Sequence, residues 1–164
     1  MNTPTIETQR LILRRFTQDD ARALYQILSD EEVNTFLPMF PLKTMEEANA
    51  YIQKQYLDTY QEPFGYRYAV CLKTDHIPIG YVQVSSSESH DFGYGLRKDF
   101  WHKGIITEAG RAVVEELRNS GMPFITATHD IKNPRSGEVM KKLGMIYQYS
   151  YEEQWQPKNI PVTF

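Results

Sequence analysis

The sequence predicts an α+β domain built on a mixed, mostly antiparallel central sheet flanked by helices. Three observations predict it. Period-two alternation at Tyr66–Leu72, Ile79–Val84 and Phe92–Leu96 is separated by connections too short for a crossover, so neighbouring strands pair antiparallel. The pattern then changes to helix, strand, helix, strand, which calls for a crossover connection. The 164 residues carry no repeat, linker or low-complexity tract, and one domain of this length buries a substantial core.

Each element has a local cause. Arg10-Leu11-Ile12-Leu13-Arg14 is a short apolar run that reads as a first strand. Thr17 with Asp20 three residues on is a capping pattern, after which Ala21, Leu24, Tyr25 and Leu28 recur at helical spacing. Pro38-Met39-Phe40-Pro41 interrupts the chain, and Thr44 with Glu47 repeats the capping pattern. Ala48, Tyr51, Ile52 and Gln55 follow on one face, so two early helices joined by a Pro-containing loop are expected. In the first of the three strands Tyr66, Tyr68, Val70 and Leu72 alternate with Arg67, Ala69 and Cys71. Ala109, Val113, Val114 and Leu117 then give a helix its core-facing side, and Gly121 ends it. Phe124–Thr128 is expected to be a strand. Asn133 as N-cap and Pro134 at the first position start another helix, stopped by Gly144. Met145–Trp155 reads as one long strand, Gln156-Pro157-Lys158-Asn159 as a turn, and Ile160–Phe164 as the start of a last strand.

Composition excludes several functions. Eighteen Lys and Arg against twenty-one Asp and Glu leave a net charge of −3, with no basic surplus for coating nucleic acid. The N-terminal stretch has no apolar signal core, and no run approaches the roughly 20 apolar residues that span a membrane. The single Cys71 excludes a disulfide within the chain and a cysteine-based metal site, and the four histidines lack ligand spacing. The composition therefore reads as a soluble cytoplasmic protein with no metal, no membrane and no nucleic-acid partner, and it leaves monomer and homodimer both open.

The chemistry concentrates in Gly93 to Ala109, a strand, a loop around Gly104 and the first turn of a helix. A helix N-terminus exposes unpaired backbone N–H groups and partial positive charge, which suits phosphate. Gly104 allows close approach and Lys103 adds charge, so His102, Lys103, Gly104, Ile105, Ile106 and Thr107 read as a pyrophosphate cradle. A nucleotide P-loop and a Rossmann loop do not fit, because neither string of glycines is present at the right place. The plain alternative is a well-capped amphipathic helix.

Three separated motifs agree with a known family in order. Thr8-x-Arg10-Leu11-x-Leu13-Arg14, the string Trp101-x-Lys103-Gly104-x-x-Thr107-Glu108-Ala109, and Asn133-x-x-Ser136-x-x-x-Met140-x-x-Leu143-Gly144-Met145 together resemble the ribosomal-protein-alanine, or Rim-type, branch of the GNAT N-acetyltransferase superfamily. The resemblance implies the GNAT acyl-CoA N-acyltransferase fold, acetyl-CoA as cosubstrate and an amine acceptor. It implies that the pantetheine arm pairs with the strand near Leu96 and Arg97, that Asn133 orients this arm, and that Ser136 faces the thiolate leaving group. Two positions depart from the family. Gly95 stands where many relatives carry a bulky aromatic, which implies a roomier site or another side chain filling the gap. Ile106 replaces a small residue of the cradle, but its backbone N–H survives. GNAT folds end on a full strand, so the 164 residues are expected to form a single domain stopping part-way through that strand.

The implied reaction moves an acetyl group from acetyl-CoA to a neutral amine. An α-amine with pKa ~8 is about one-tenth neutral at pH ~7, whereas a lysine amine is neutral roughly once in a few thousand molecules. A protein or peptide N-terminus is therefore the first acceptor, and a small amine such as a polyamine, amino sugar or antibiotic the second. A strand N–H can stabilise the thioester oxygen, and Ser136 or water can protonate the thiolate. Glu88, His90, Asp91 and His129 are the candidate bases, each also readable as a solvated loop residue, and a water chain serves equally. Tyr66, Tyr68, Tyr81 and Tyr94 read either as acceptor-site lining or as core. Asn133 and Ser136 would, without the family, be helix caps. A non-catalytic acyl-CoA-binding module is the competing class.

Overall fold

The computed structural model describes residues 2–155, 158 and 160–164. Its centre is a five-stranded antiparallel sheet in the order β1 (Ile6–Glu7), β2 (Leu11–Arg14), β3 (Tyr66–Leu72), β4 (Pro78–Val84) and β5 (Phe92–Leu96). The three expected central strands form with their expected bounds, give or take Pro78, because the short connections bring each strand straight back along its predecessor.

Alternation sorts the sheet into two faces with separate cores. Tyr68, Val70, Val82, Val84, Phe92 and Leu96 point to one side, where α4 (Ile105–Asn119) inserts Ala109, Val113 and Leu117. Ala69, Cys71 and Tyr81 point to the other, where α1 (Ala21–Leu28) and α3 (Met45–Ile52) supply Leu24, Ile27, Leu28, Ala48 and Ile52. Thr44 caps α3 directly, whereas Thr17 and Asp20 cap a 3-10 turn, Gln18–Asp20, that leads into α1. The Asp20 carboxylate accepts the Thr17 amide at 2.7 Å, and Thr44 Oγ1 accepts the Glu47 amide at 3.1 Å. A short α2 (Glu31–Asn34) was not expected. Its signal is Asp30, whose carboxylate accepts the Glu32 amide at 2.8 Å.

The second half departs from expectation in two places. Phe124–Thr128 is not a full strand: Thr126 alone bridges Asp91, in parallel sense. Ile125 and Ala127 do pack on the core, but β5 meets the segment at that one point, so the alternating pattern lacks a partner ladder. Met145–Trp155 is not one long strand either. Ile146, Tyr147 and Tyr149 are exposed, which leaves that stretch without a buried face, and only β6 (Glu152–Trp155) forms. β6 pairs antiparallel with β7 (Ile160–Thr163) in a separate two-stranded sheet. Of the turn expected between them, Gln156, Pro157 and Asn159 lie outside the described residues. α5 (Pro134–Lys142) starts at Asn133 and ends at Gly144, whose φ of +91° is the left-handed stop a glycine provides. Among the described residues, no helix is long and apolar enough to cross a membrane.

Candidate active site

β5, the loop after it and the first turns of α4 and α5 build the site. The Arg97 amide donates to the Ile79 carbonyl and the Ser85 amide donates to the Asp91 carbonyl, so odd-numbered residues of β5 face β4. Phe92 turns the other way and donates to Thr126 O at 2.7 Å. By the same alternation, the backbone groups of Tyr94 and Leu96 point to that outer edge. Pairing along this edge ends at the Asp91–Thr126 bridge, and beyond it the Tyr94 and Leu96 amides have no strand partner among the described residues.

The cradle follows at once. Trp101 Nε1 donates to Leu96 O at 2.8 Å and folds the loop back on the strand. His102 and Gly104 both take left-handed backbone angles, φ +64° and +73°, and Gly104 is the N-cap of α4. For His102 this is a sparsely populated conformation, of the kind stored at functional sites. Ile105 and Ile106 turn their side chains into the core, so what they offer outward is backbone N–H. The departure at Ile106 therefore does not fill the cradle. Lys103 is exposed, its ammonium 5.5 Å from the centre of the Phe100 ring.

The first motif explains itself here. Arg10 donates through Nε to Glu108 Oε1 at 2.7 Å and through Nη1 to the Lys103 carbonyl at 2.9 Å. Its amide and the Thr8 hydroxyl both reach Glu108 Oε2, at 3.0 and 2.5 Å. Burial alone pushes the Glu108 carboxyl up, but the bonds from Thr8 and Arg10 more than offset it and hold the group below the usual carboxylate range. The N-terminal strand pair thus grips the first turn of α4. A groove of about 820 Å³ runs along the outer side of this junction past Arg111, Glu115 and Lys142. It reaches Gly104, Thr107 and Glu108 but includes neither Tyr94 nor Ser136.

Ser136 lies half-buried in the first turn of α5, and the Tyr94 hydroxyl donates to its Oγ at 2.6 Å. This bond joins β5 to α5. Asn133 makes no capping hydrogen bond with its side chain, although it occupies the N-cap position. The capping explanation therefore has no side-chain bond behind it at Asn133.

Arg97 does not belong to the edge as expected. Its amide is committed to β4 and its carbonyl accepts the Phe100 amide. Its guanidinium binds Asp99 at 2.7 and 2.8 Å and lies over the Phe100 ring. Of the four tyrosines, Tyr66 and Tyr68 are core, with hydroxyls donating to Ser120 Oγ and Pro4 O. Tyr81 fills the gap at Gly95: a Cβ there would stand 2.5 Å from Tyr81 Cε1. Sequence reasoning grouped Tyr94 with these three and missed its partner. Parity along β5 signals only which face Tyr94 takes, not that α5 returns to meet it. None of the four candidate bases is hydrogen-bonded to Tyr94 or Ser136 among the described residues. Glu88 and Asp91 are exposed, the His90 ring packs edge-on against Phe124, and the His129 ring lies against the backbone of α5 at Gly137.

Comparison with known proteins gives the arrangement a family. The profile of the acetyltransferase (GNAT) domain matches residues 10–146. No curated protein sequence matches. Among solved structures the chain is similar to a GNAT-family acetyltransferase from Bacillus anthracis, with a TM-score of 0.82 and 22% identity over 98% of this chain and 94% of that one. It is similar to an acetyl transferase from Salmonella typhimurium that modifies the N-terminal serine of a 50S ribosomal subunit protein, with a TM-score of 0.79 and 17% identity over 98% and 96% of the two chains. A third is a ribosomal α-N-protein acetyltransferase in complex with coenzyme A, with a TM-score of 0.78 and 18% identity over 98% and 95%. At such identities the structural likeness establishes the fold, and the profile match over most of the chain establishes membership. With that match covering most of its length, the chain belongs to the GNAT acetyltransferase family and is an acetyl-CoA-dependent acyltransferase.

Proposed function

We propose that this protein transfers the acetyl group of acetyl-CoA to an α-amine of a protein or peptide. The observation that carries the reading is the outer edge of β5 unpaired beyond Phe92, followed in the chain by the helix N-terminus at Gly104 and tied to α5 by the Tyr94–Ser136 bond. The first-turn amides of Ile105, Ile106 and Thr107, with Gly104, would hold the pyrophosphate. The outward backbone groups of Tyr94 and the Leu96 amide would hold the pantetheine arm as an added strand, with Asn133 orienting it. The cosubstrate brings an activated thioester. An outward strand N–H stabilises the carbonyl oxygen as charge grows on it. The Ser136 hydroxyl hydrogen-bonds the sulfur as the C–S bond breaks and the N–C bond forms.

An α-amine suits this site because it needs little help from a base. About one-tenth of it is already neutral at pH ~7. The similarity to acetyltransferases of ribosomal-protein N-termini favours the same acceptor class, in the cytoplasm where such termini are made.

The test is release of free CoA thiol from acetyl-CoA with three kinds of acceptor. These are peptides with a free N-terminal serine or alanine, the same peptides blocked at the N-terminus but carrying an internal lysine, and small amines. Fastest turnover with free N-termini is expected. Faster turnover with polyamines or amino sugars would replace the acceptor class. Tight CoA binding with no turnover would mark a non-catalytic module.

A further inference from the structure

We infer that Tyr94 is a positioning residue that fixes the direction in which Ser136 donates its hydroxyl hydrogen. The inference rests on the proposed role of Ser136 against the departing sulfur.

A serine hydroxyl has one hydrogen and two lone pairs, and the hydrogen rotates to suit its surroundings. In the first turn of a helix it has local alternatives: it can accept a backbone N–H as a cap or turn its hydrogen back to a nearby carbonyl. Tyr94 changes that choice. Its hydroxyl donates to Ser136 Oγ at 2.6 Å, at the short end for such bonds. One lone pair is then occupied, and the serine's own hydrogen must leave in another direction.

Tyr94 is itself a stiff arm. Its backbone belongs to β5, and its ring packs against Phe92 with centroids 6.1 Å apart. Burial pushes its phenol above the ordinary range, and the bond to Ser136 pulls part of the way back. The phenol therefore stays protonated, and stays a donor, wherever an α-amine is the acceptor. The residue whose backbone lies on the edge proposed for the thioester arm thus also orients the group proposed to receive the sulfur. No proton need leave Tyr94: the N–C bond forms, the C–S bond breaks, the electron pair goes to sulfur, and the proton lost by the amine reaches the thiolate through water.

The test needs no known acceptor. The ionisation of the thiol of bound CoA is followed by its ultraviolet thiolate absorbance in wild type, Tyr94→Phe, Ser136→Ala and the double variant, with CoA affinity measured by calorimetry for each. A hydrogen bond to the thiolate makes the bound thiol more acidic. Ser136→Ala should lower its ionisation constant about tenfold, the scale of one bond to a charged group. Tyr94→Phe should produce most of that change with affinity intact, and the double variant should match Ser136→Ala alone. With the acceptor from the thiol-release screen, Tyr94→Phe should lower kcat and leave the KM for acetyl-CoA unchanged. A wild-type titration in Tyr94→Phe beside a shifted one in Ser136→Ala overturns the inference and spares the role of Ser136. A wild-type titration in Ser136→Ala overturns both. Loss of CoA affinity in Tyr94→Phe makes Tyr94 a structural residue and overturns the inference.

Discussion

Arg10 and Glu108 stand 98 residues apart in the chain, and their side chains meet at 2.7 Å. Thr8 binds the same carboxylate, and Arg10 also holds the Lys103 carbonyl. Two of the three motifs in the sequence are therefore the halves of one clamp on the cradle.

The clamp should show itself in the pH dependence of stability. Glu108 in the folded protein is held below its unfolded value, so its contribution is complete above the ordinary glutamate range and is lost as pH falls through the folded value. Glu108→Gln should lower the urea midpoint at neutral pH. The gap from wild type should narrow as pH falls past the unfolded value of 4.5 and close only below the depressed folded value, where both carry a neutral group. A gap that stays constant through the acid range would show that Glu108 acts by packing alone.

Gly104 is kept by its backbone angle rather than by crowding. A Cβ there would have Arg10 Nη2 as nearest neighbour at 3.7 Å, which is ordinary contact, but φ is +73°. Gly104→Ala should cost about 1–2 kcal/mol, the strain of a left-handed alanine. Gly104→Val should cost more and weaken CoA binding severely. Denaturant titration and calorimetry measure the two effects, and a Val variant with wild-type CoA affinity would remove the cradle from the binding site.

Gly95 and Tyr81 share one space. A methyl at residue 95 would meet the Tyr81 ring at 2.5 to 2.7 Å, and Tyr81 is buried. Gly95→Ala should destabilise by about 1–3 kcal/mol through overpacking. In a Tyr81→Leu background the same change should cost clearly less, since the two sites are coupled. Additive costs would show that the ring moves aside freely.

Cys71 should not disturb a thiol-release assay. Burial pushes its thiol up, against a smaller opposing pull from Arg14, to about 11, so almost none is thiolate at neutral pH. The native protein should react with aromatic disulfide reagents far more slowly than the urea-unfolded chain. Equal rates would mean that the strand opens locally under assay conditions.

The sequence by itself determined the elements whose causes are local. The three central strands follow from alternation and short turns. α1 and α3 start at Thr17–Asp20 and Thr44–Glu47, and α4 and α5 end at Gly121 and Gly144, because caps and left-handed stops act within a few residues. It determined the glycine-started turn at Gly104 too, since a left-handed glycine ahead of a helix is a local feature. Only the tertiary structure decided what depends on a partner from elsewhere in the chain. Phe124–Thr128 has strand composition yet makes one bridge, because a strand exists only where another edge runs beside it. Arg97 leaves the candidate edge by the parity of β5 against β4, which the register sets. Tyr81 over Gly95, Arg10 on Glu108 and Tyr94 on Ser136 are all long-range pairs. Periodicity assigns each of these residues a face, and packing of the sheet against α4 and α5 chooses which of them touch.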